Sequence, residues 1–310
     1  MPIQCSNWRL FHAYSRHEPN QTSEPPVNVF NAMALLSSTE RNEIDEASKI
    51  VRAAHSSLHI ARAVITNRDD LLDLIVKIGA TFLDDPQAFS DGLNEPLAEL
   101  SCKILNLCAS FRSYLEHQET HLKKQIGRSS PAWIAWRSFL TQIERDNKYY
   151  ALIYGLRNYI QHVDMPPLHL SLHSGRAEEV TLSVDLMAES LLIPTAQWSS
   201  EMRDFINSYG ARISLWEALK GWDQAFRLIL EKGTEFRIRP ARSAAEFILN
   251  VRCRYNVPDY GMLGIALEPA PKDDGSITIN ISWVEERAAA ALVELLGTDV
   301  NGLHTAALDG

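Results

Sequence analysis

Residues Thr141–Pro167 read TQIERDNKYYALIYGLRNYIQHVDMPP, and the fold turns on what this stretch becomes. Apolar residues recur at helical spacing (Tyr149, Leu152, Ile153, Leu156, Ile160 and Val163) until Pro166 and Pro167 stop the pattern. A helix advances about 100° per residue, so with Arg157 set at zero Asn158 lies at roughly 100° and His162 at roughly 140°. Gln161, Tyr154, Tyr150 and Asn147 fill the same arc, opposite the apolar residues. The spacing therefore predicts an amphipathic helix, the last of a bundle, with its polar arc turned away from the core. Ala151 and Gly155 also fall on this arc. Side chains this small let a second helix or a nucleotide backbone approach closely, which makes them candidate dimer contacts.

Working outward, Ser130 and Pro131 open this helix, which the pattern carries unbroken to Val163. Upstream, Thr39 is a candidate cap for a helix reaching about Thr66, Asn67 to Asp70 reads as a break, and Leu71 to Phe82 forms the stripe of a second helix. Pro96 sits near the first turn of a long helix that ends near Gly127. Residues 1–38, rich in Asn, Ser, Pro and Gln, read as an irregular arm. Long helices with short connections predict an up-and-down bundle over residues 39–166.

Beyond it the period switches to alternation in Leu168 to Leu172 and Val180 to Leu186, a β-hairpin. A capped helix from about Ser199 to Glu231 follows, bent at Gly210, and then a shorter one from Ser243 to Arg254. Gly261 to Leu267 and Ser276 to Trp283 form a second hairpin across Lys272 to Gly275, and a last helix runs from Val284 to Leu296. The fold class is therefore mainly α: a helical bundle followed by an α+β C-terminal part over 167–297 with two β-hairpins, and a tail over 298–310.

Composition narrows the function classes. A net charge of -9 over 310 residues argues against holding long nucleic acid by bulk electrostatics, although a local basic pocket remains open. No run of eighteen apolar residues and no basic-then-apolar leader occurs, so the chain reads as soluble and cytoplasmic, with no membrane partner. Cys5, Cys102, Cys108 and Cys253 make no CxxC pair, and no Cys or His cluster has zinc-ligand spacing; they read as reduced thiols. His55 and His59, like His117 and His121, are spaced i,i+4 but lack acidic partners, and solvated helix faces account for them. Five tryptophans (133, 136, 198, 216 and 222) sit among apolar helical positions and read as core. Arg237, Arg239 and Arg242 with Arg252 and Arg254 are the densest positive charge; RNA phosphates and surface carboxylates are both open as their partners. Arg237 and Arg239 are carried forward as substrate-binding candidates.

Arg157-Asn-Tyr-Ile-Gln-His162 with Pro166 close behind resembles the Arg-x4–6-His motif of the HEPN superfamily, helical-bundle proteins that include many metal-independent ribonucleases of toxin, phage-defence and RNA-targeting CRISPR systems. Arg52 to His59 and Arg112 to His117 match the bare spacing as well. Context selects Arg157: an Asn follows it directly, as in many nuclease members, and it stands on the final long bundle helix within a polar arc. The resemblance covers about residues 40–165 and implies RNA cleavage by the substrate's own 2'-OH, without cofactor or metal. In that chemistry His162 moves a proton, Arg157 stabilises the dianionic phosphorane, and Asn158 orients the imidazole or the phosphate; an imidazole has an ordinary pKa of about 6.5 and can both take and give a proton near neutrality. Tyr154 and Gln161, on the same arc, become substrate contacts. The family builds its site from two motifs facing across a dimer, so one motif per chain implies a homodimer, with an antitoxin or sensor protein as a further partner. The rival reading is a non-catalytic helical module that binds RNA or a partner protein.

Overall fold

The computed structural model describes residues 7–16, 27–84, 92–174, 180–268 and 278–297. Strands β1 (Trp8–Arg16) and β2 (Val27–Leu36) come first, then α1 (Ser38–Asp84) and α2 (Asn94–His121), which runs into a π turn at Leu122–Ile126. Next come α3 (Pro131–Asp146), α4 (Lys148–His162), β3 (Leu168–Ser174), β4 (Val180–Met187), the single turn α5 (Ala188–Leu191) and α6 (Ser200–Ser208). The chain continues with β5 (Arg212–Ser214), α7 (Leu215–Gly233), α8 (Arg242–Arg254), β6 (Met262–Leu267), β7 (Ser282–Trp283) and α9 (Glu286–Gly297). The fold is mainly α with an α+β part, and both expected hairpins form, β3 with β4 and β6 with β7. No helix among the described residues is long and apolar enough to cross a membrane.

The chain divides into two compact units, Ser57–Phe236 and a discontinuous one made of Met1–Ser56 with Arg237–Gly310. These bounds differ from the expected 39–166 and 167–297. The β3–β4–β5 sheet belongs with the bundle helices because its apolar face, carrying Leu170, Val184, Leu186 and Ile213, is part of the same buried cluster as Leu152 and Leu156 of α4. At the centre of that cluster Phe111 stands edge-on to Tyr150, Trp222 and Phe226, at centroid distances of 5.8, 5.2 and 5.7 Å. Of the five tryptophans, Trp136 and Trp222 are fully buried and Trp133 and Trp198 half-buried, whereas Trp216 is 50% exposed in the first turn of α7.

In the other unit the segment expected to be irregular is a hairpin. Its central strand β1 also pairs with β6, giving a four-stranded antiparallel sheet ordered β2-β1-β6-β7. Of the Asn and Ser residues that suggested an arm, Asn28 and Asn31 are exposed on β2, Ser15 is exposed on β1, and Ser6, Asn20 and Ser23 lie outside the described residues.

Helix ends account for the other differences. Ser37, not Thr39, caps α1: its Oγ accepts from the Glu40 N–H at 3.2 Å while the Glu40 carboxylate accepts from the Ser37 N–H at 3.0 Å, a reciprocal capping box. The polar run Asn67–Asp70 does not break α1. Arg68 is buried there and donates to Asp223 of α7 at 2.5 Å and to Asp69 at 2.8 Å, so the residues that read as a break form an internal ion-pair network. The helix expected over Pro131–Val163 is two helices, because Asn147 leaves the helical region (φ -126°, ψ 97°) and caps α4. The helix expected over Ser199–Glu231 is likewise two. Gly210 adopts a φ of 73°, open to glycine at little cost, and the chain then adds β5 to the sheet before Ser214 caps α7. The Lys272–Gly275 turn and the tail lie outside the described residues.

Candidate functional site

Asn147 fixes the start of α4 at both ends of its amide: Oδ1 accepts from the Tyr150 N–H at 2.9 Å and Nδ2 donates to the Gly221 carbonyl at 2.7 Å. From there Leu152, Ile153, Leu156 and Tyr159 enter the core. The Tyr159 hydroxyl donates to the Ser190 carbonyl at 3.2 Å, and burial raises its pKa. The opposite face is the polar arc: Arg157 half-buried, Asn158, Gln161 and His162 exposed. Arg157 Nη1 donates to the Asn158 carbonyl oxygen at 3.3 Å, and neither Arg157 nor His162 forms an ion pair with any described residue. Val163 leaves the helix, and Pro166 is buried just beyond, so His162 occupies the last helical turn.

Three arc residues differ from expectation. Tyr150 is buried, stacked at 6.0 Å on Tyr154 and edge-on to Phe111, with its pKa pushed well up by burial. Asn147 is a cap and not a helical position. Gly155 is approached by Trp198 of its own chain, whose indole N–H donates to the Leu191 carbonyl at 2.7 Å. Ala151, half-buried, packs on the core cluster. The small-residue stripe is therefore filled at Gly155 from within.

Tyr154 is half-buried, and the Arg112 guanidinium of α2 lies over its ring at 4.6 Å while bonding Glu116 at 2.7 Å. This second cation on the arc was missed from sequence. Its only signal was the Arg112 to His117 spacing, which the better context of Arg157 displaced.

Arg237 is turned inward. It is 6% exposed and donates to the Ala53 carbonyl at 2.8 Å. Arg239 is exposed, and both belong to the discontinuous unit, not to the one that holds Arg157. In the rest of that basic run, Arg242 pairs with Glu246 at 2.8 Å, Arg252 with Glu286 at 2.5 Å and Arg254 with Glu40 at 3.1 Å, so carboxylates take up its charge. Among the described residues no three His, Cys, Asp or Glu side chains converge as metal ligands. Cys108 is buried, and its thiol pKa is pushed up to about 12 by that burial; Cys102 and Cys253 are exposed thiols.

The class these observations define is a mainly α protein with a polar Arg-Asn-His arc at the end of a bundle helix. Comparison with family models, curated proteins and solved structures returns no match to this chain.

Proposed function

We propose that the chain is a metal-independent endoribonuclease of the HEPN type, acting in the cytoplasm as a homodimeric toxin or phage-defence effector. The observation that supports this reading is the accessibility of Arg157, Asn158 and His162 on one helix face, with neither the Arg nor the His bound to a carboxylate among the described residues. A salt-bridged, buried pair would have favoured a structural role.

In the reaction the 2'-oxygen of the RNA attacks the adjacent phosphorus and the bond from phosphorus to the 5'-oxygen breaks. Products end in a 2',3'-cyclic phosphate and a 5'-OH. One proton leaves the 2'-OH and another reaches the 5'-oxygen. His162 serves one of these transfers, and Arg157 offers N–H donors to the phosphorane oxygens as charge builds on them. Asn158, bonded to Arg157, holds that guanidinium in place. Since each chain offers one such imidazole on this arc, a second copy completes the acid–base pair.

The test is incubation of the purified chain with a mixed RNA pool in EDTA. Cyclic-phosphate ends are expected, with activity lost in His162→Ala at unchanged melting temperature. Partial recovery is expected when Arg157→Ala and His162→Ala chains are mixed. A strict divalent-metal requirement, or cleavage by a folded His162→Ala chain, overturns the reading.

A further inference from the structure

The four-stranded sheet carries an unassigned site at one end. Its register sets Phe30 of β2, Ala13 of β1 and Met262 of β6 in one line across three strands, hence on one face. Trp283 lies opposite Gly264, two residues beyond Met262, and so shares that face; Ser15 and Asn28 face each other in the row on the other side. Large walls therefore surround a small floor at Ala13. They border an open trough of about 470 Å³, within the roughly 300–1,000 Å³ typical of small-molecule sites.

Three features restrict what fits. Phe30, Met262 and Trp283 are 46%, 44% and 38% exposed, a cluster of large apolar side chains that a sheet normally covers. A Cβ at Gly264 would collide first with Ile281 and then come within 3.2 and 3.4 Å of Trp283 ring atoms, so the glycine lets both side chains settle on the sheet. Among the described residues, no Asp, Glu, Lys or Arg lines the cavity. Ser15, Tyr14 and Tyr260 also line it, and the Asn28 amide supplies the donor: its oxygen accepts from the Ser15 hydroxyl at 2.9 Å, which leaves its NH2 to donate to a ligand.

We propose that this trough binds a flat, uncharged nitrogen heterocycle bearing a ring carbonyl, the chemistry of a nucleobase. The aromatic and thioether walls contact its faces, the uncharged lining among the described residues suits a neutral ring, and the Asn28 NH2 donates to the carbonyl. The assignment stands independently of the arc on α4. Its source is either a free nucleoside or a base of a single strand.

Titration calorimetry of the full chain with uridine, adenosine and octauridylate separates these. Saturable one-to-one uridine binding is expected, with adenosine, which lacks a ring carbonyl, at least five-fold weaker. Phe30→Ala and Trp283→Ala, both at exposed side chains, should weaken uridine five-fold or more, the low end of what base–aromatic stacking contributes. Ala13→Leu should fill the floor and abolish binding. If Ala13→Leu does not fold, the two exposed substitutions decide. Octauridylate binding at least ten-fold tighter than uridine, and lost in the same variants, identifies a strand as the source; equal affinities identify the free nucleoside. No saturable uridine binding, uridine affinity unchanged in the wall variants, or adenosine binding equal to uridine overturns the proposal.

Discussion

Replacing Gly155 by Ala tests how the arc on α4 is held. A Cβ there would stand 3.0 Å from Cε3 and 3.2 Å from Cη2 of Trp198, and closer still to Cζ3, inside the contact distance of a rigid ring. Either α4 shifts or the indole swings out. Swinging out breaks the bond from Trp198 to the Leu191 carbonyl, about 1 kcal/mol, and uncovers a half-buried indole, about 2 kcal/mol when the 3–5 kcal/mol of a fully buried aromatic is scaled to its burial. Against this, Ala in a helix interior is better than Gly by about 1 kcal/mol. The net is a destabilisation of about 2 kcal/mol, or roughly 4–8 °C in melting temperature for a unit of this size. The informative assay is chemical denaturation of four proteins: wild type, Gly155→Ala, Trp198→Ala and the double variant. With the indole gone the clash is gone, and Gly155→Ala should become stabilising by about 1 kcal/mol, a coupling near 3 kcal/mol. The same destabilisation in both backgrounds, or a neutral effect in the wild type, would refute the assignment of Gly155 to Trp198 and return it to contact between chains.

Glu40, held to a pKa of about 2 chiefly by the Ser37 N–H and hydroxyl, has a folded pKa below its ordinary value of 4.5. Its contribution is therefore present above about pH 4.5 and lost as pH falls through about 2, so the stability gap between wild type and Glu40→Gln should close over that window in pH-dependent melting. Asp223→Ala should cost about 3–5 kcal/mol by stranding buried Arg68, whereas the paired change Arg68→Met with Asp223→Leu should recover most of it, measured by denaturant unfolding. Cys108, buried with its thiol pKa near 12, should resist a chromogenic disulfide reagent in the native state, while Cys102 and Cys253 react promptly.

The fold was legible where one face of an element is apolar and its ends carry strong signals. The Pro96 and Pro131 starts, the stripe of α4 and the strands β3, β4 and β6 all appear in the structure. What misled was local polarity read as punctuation. Asn67–Asp70 has the composition of a break, yet Arg68 reaches Asp223, 155 positions away, and a single sequence carries no trace of such a partner. The reverse happened at Asn147, where a polar residue read as one more arc position was the break itself. Its cap to Tyr150 was readable in principle; its bond to Gly221 was not.

The same asymmetry governs the arc. Helical phase alone sets Asn158, Gln161 and His162 toward solvent, because exposure on a surface helix follows from which neighbours are apolar, and those are local. Who covers a position is not local. Tyr150 and Tyr154 have nearly the same phase, yet Phe111 takes one into the core while Arg112, the next residue of α2, lies over the other. Arg237, chosen for charge density, is turned inward by the Ala53 carbonyl, and the other paired arginines of its run are claimed by carboxylates from Glu40 to Glu286. Charge counted along the chain thus overstates what remains for a ligand, whereas the α4 arc keeps its Arg and His because it presents them beside Asn and Gln rather than Asp and Glu. That composition, more than the Arg-to-His spacing, separates Arg157 from Arg112, whose match to the same spacing contains Glu116 and is bound by it.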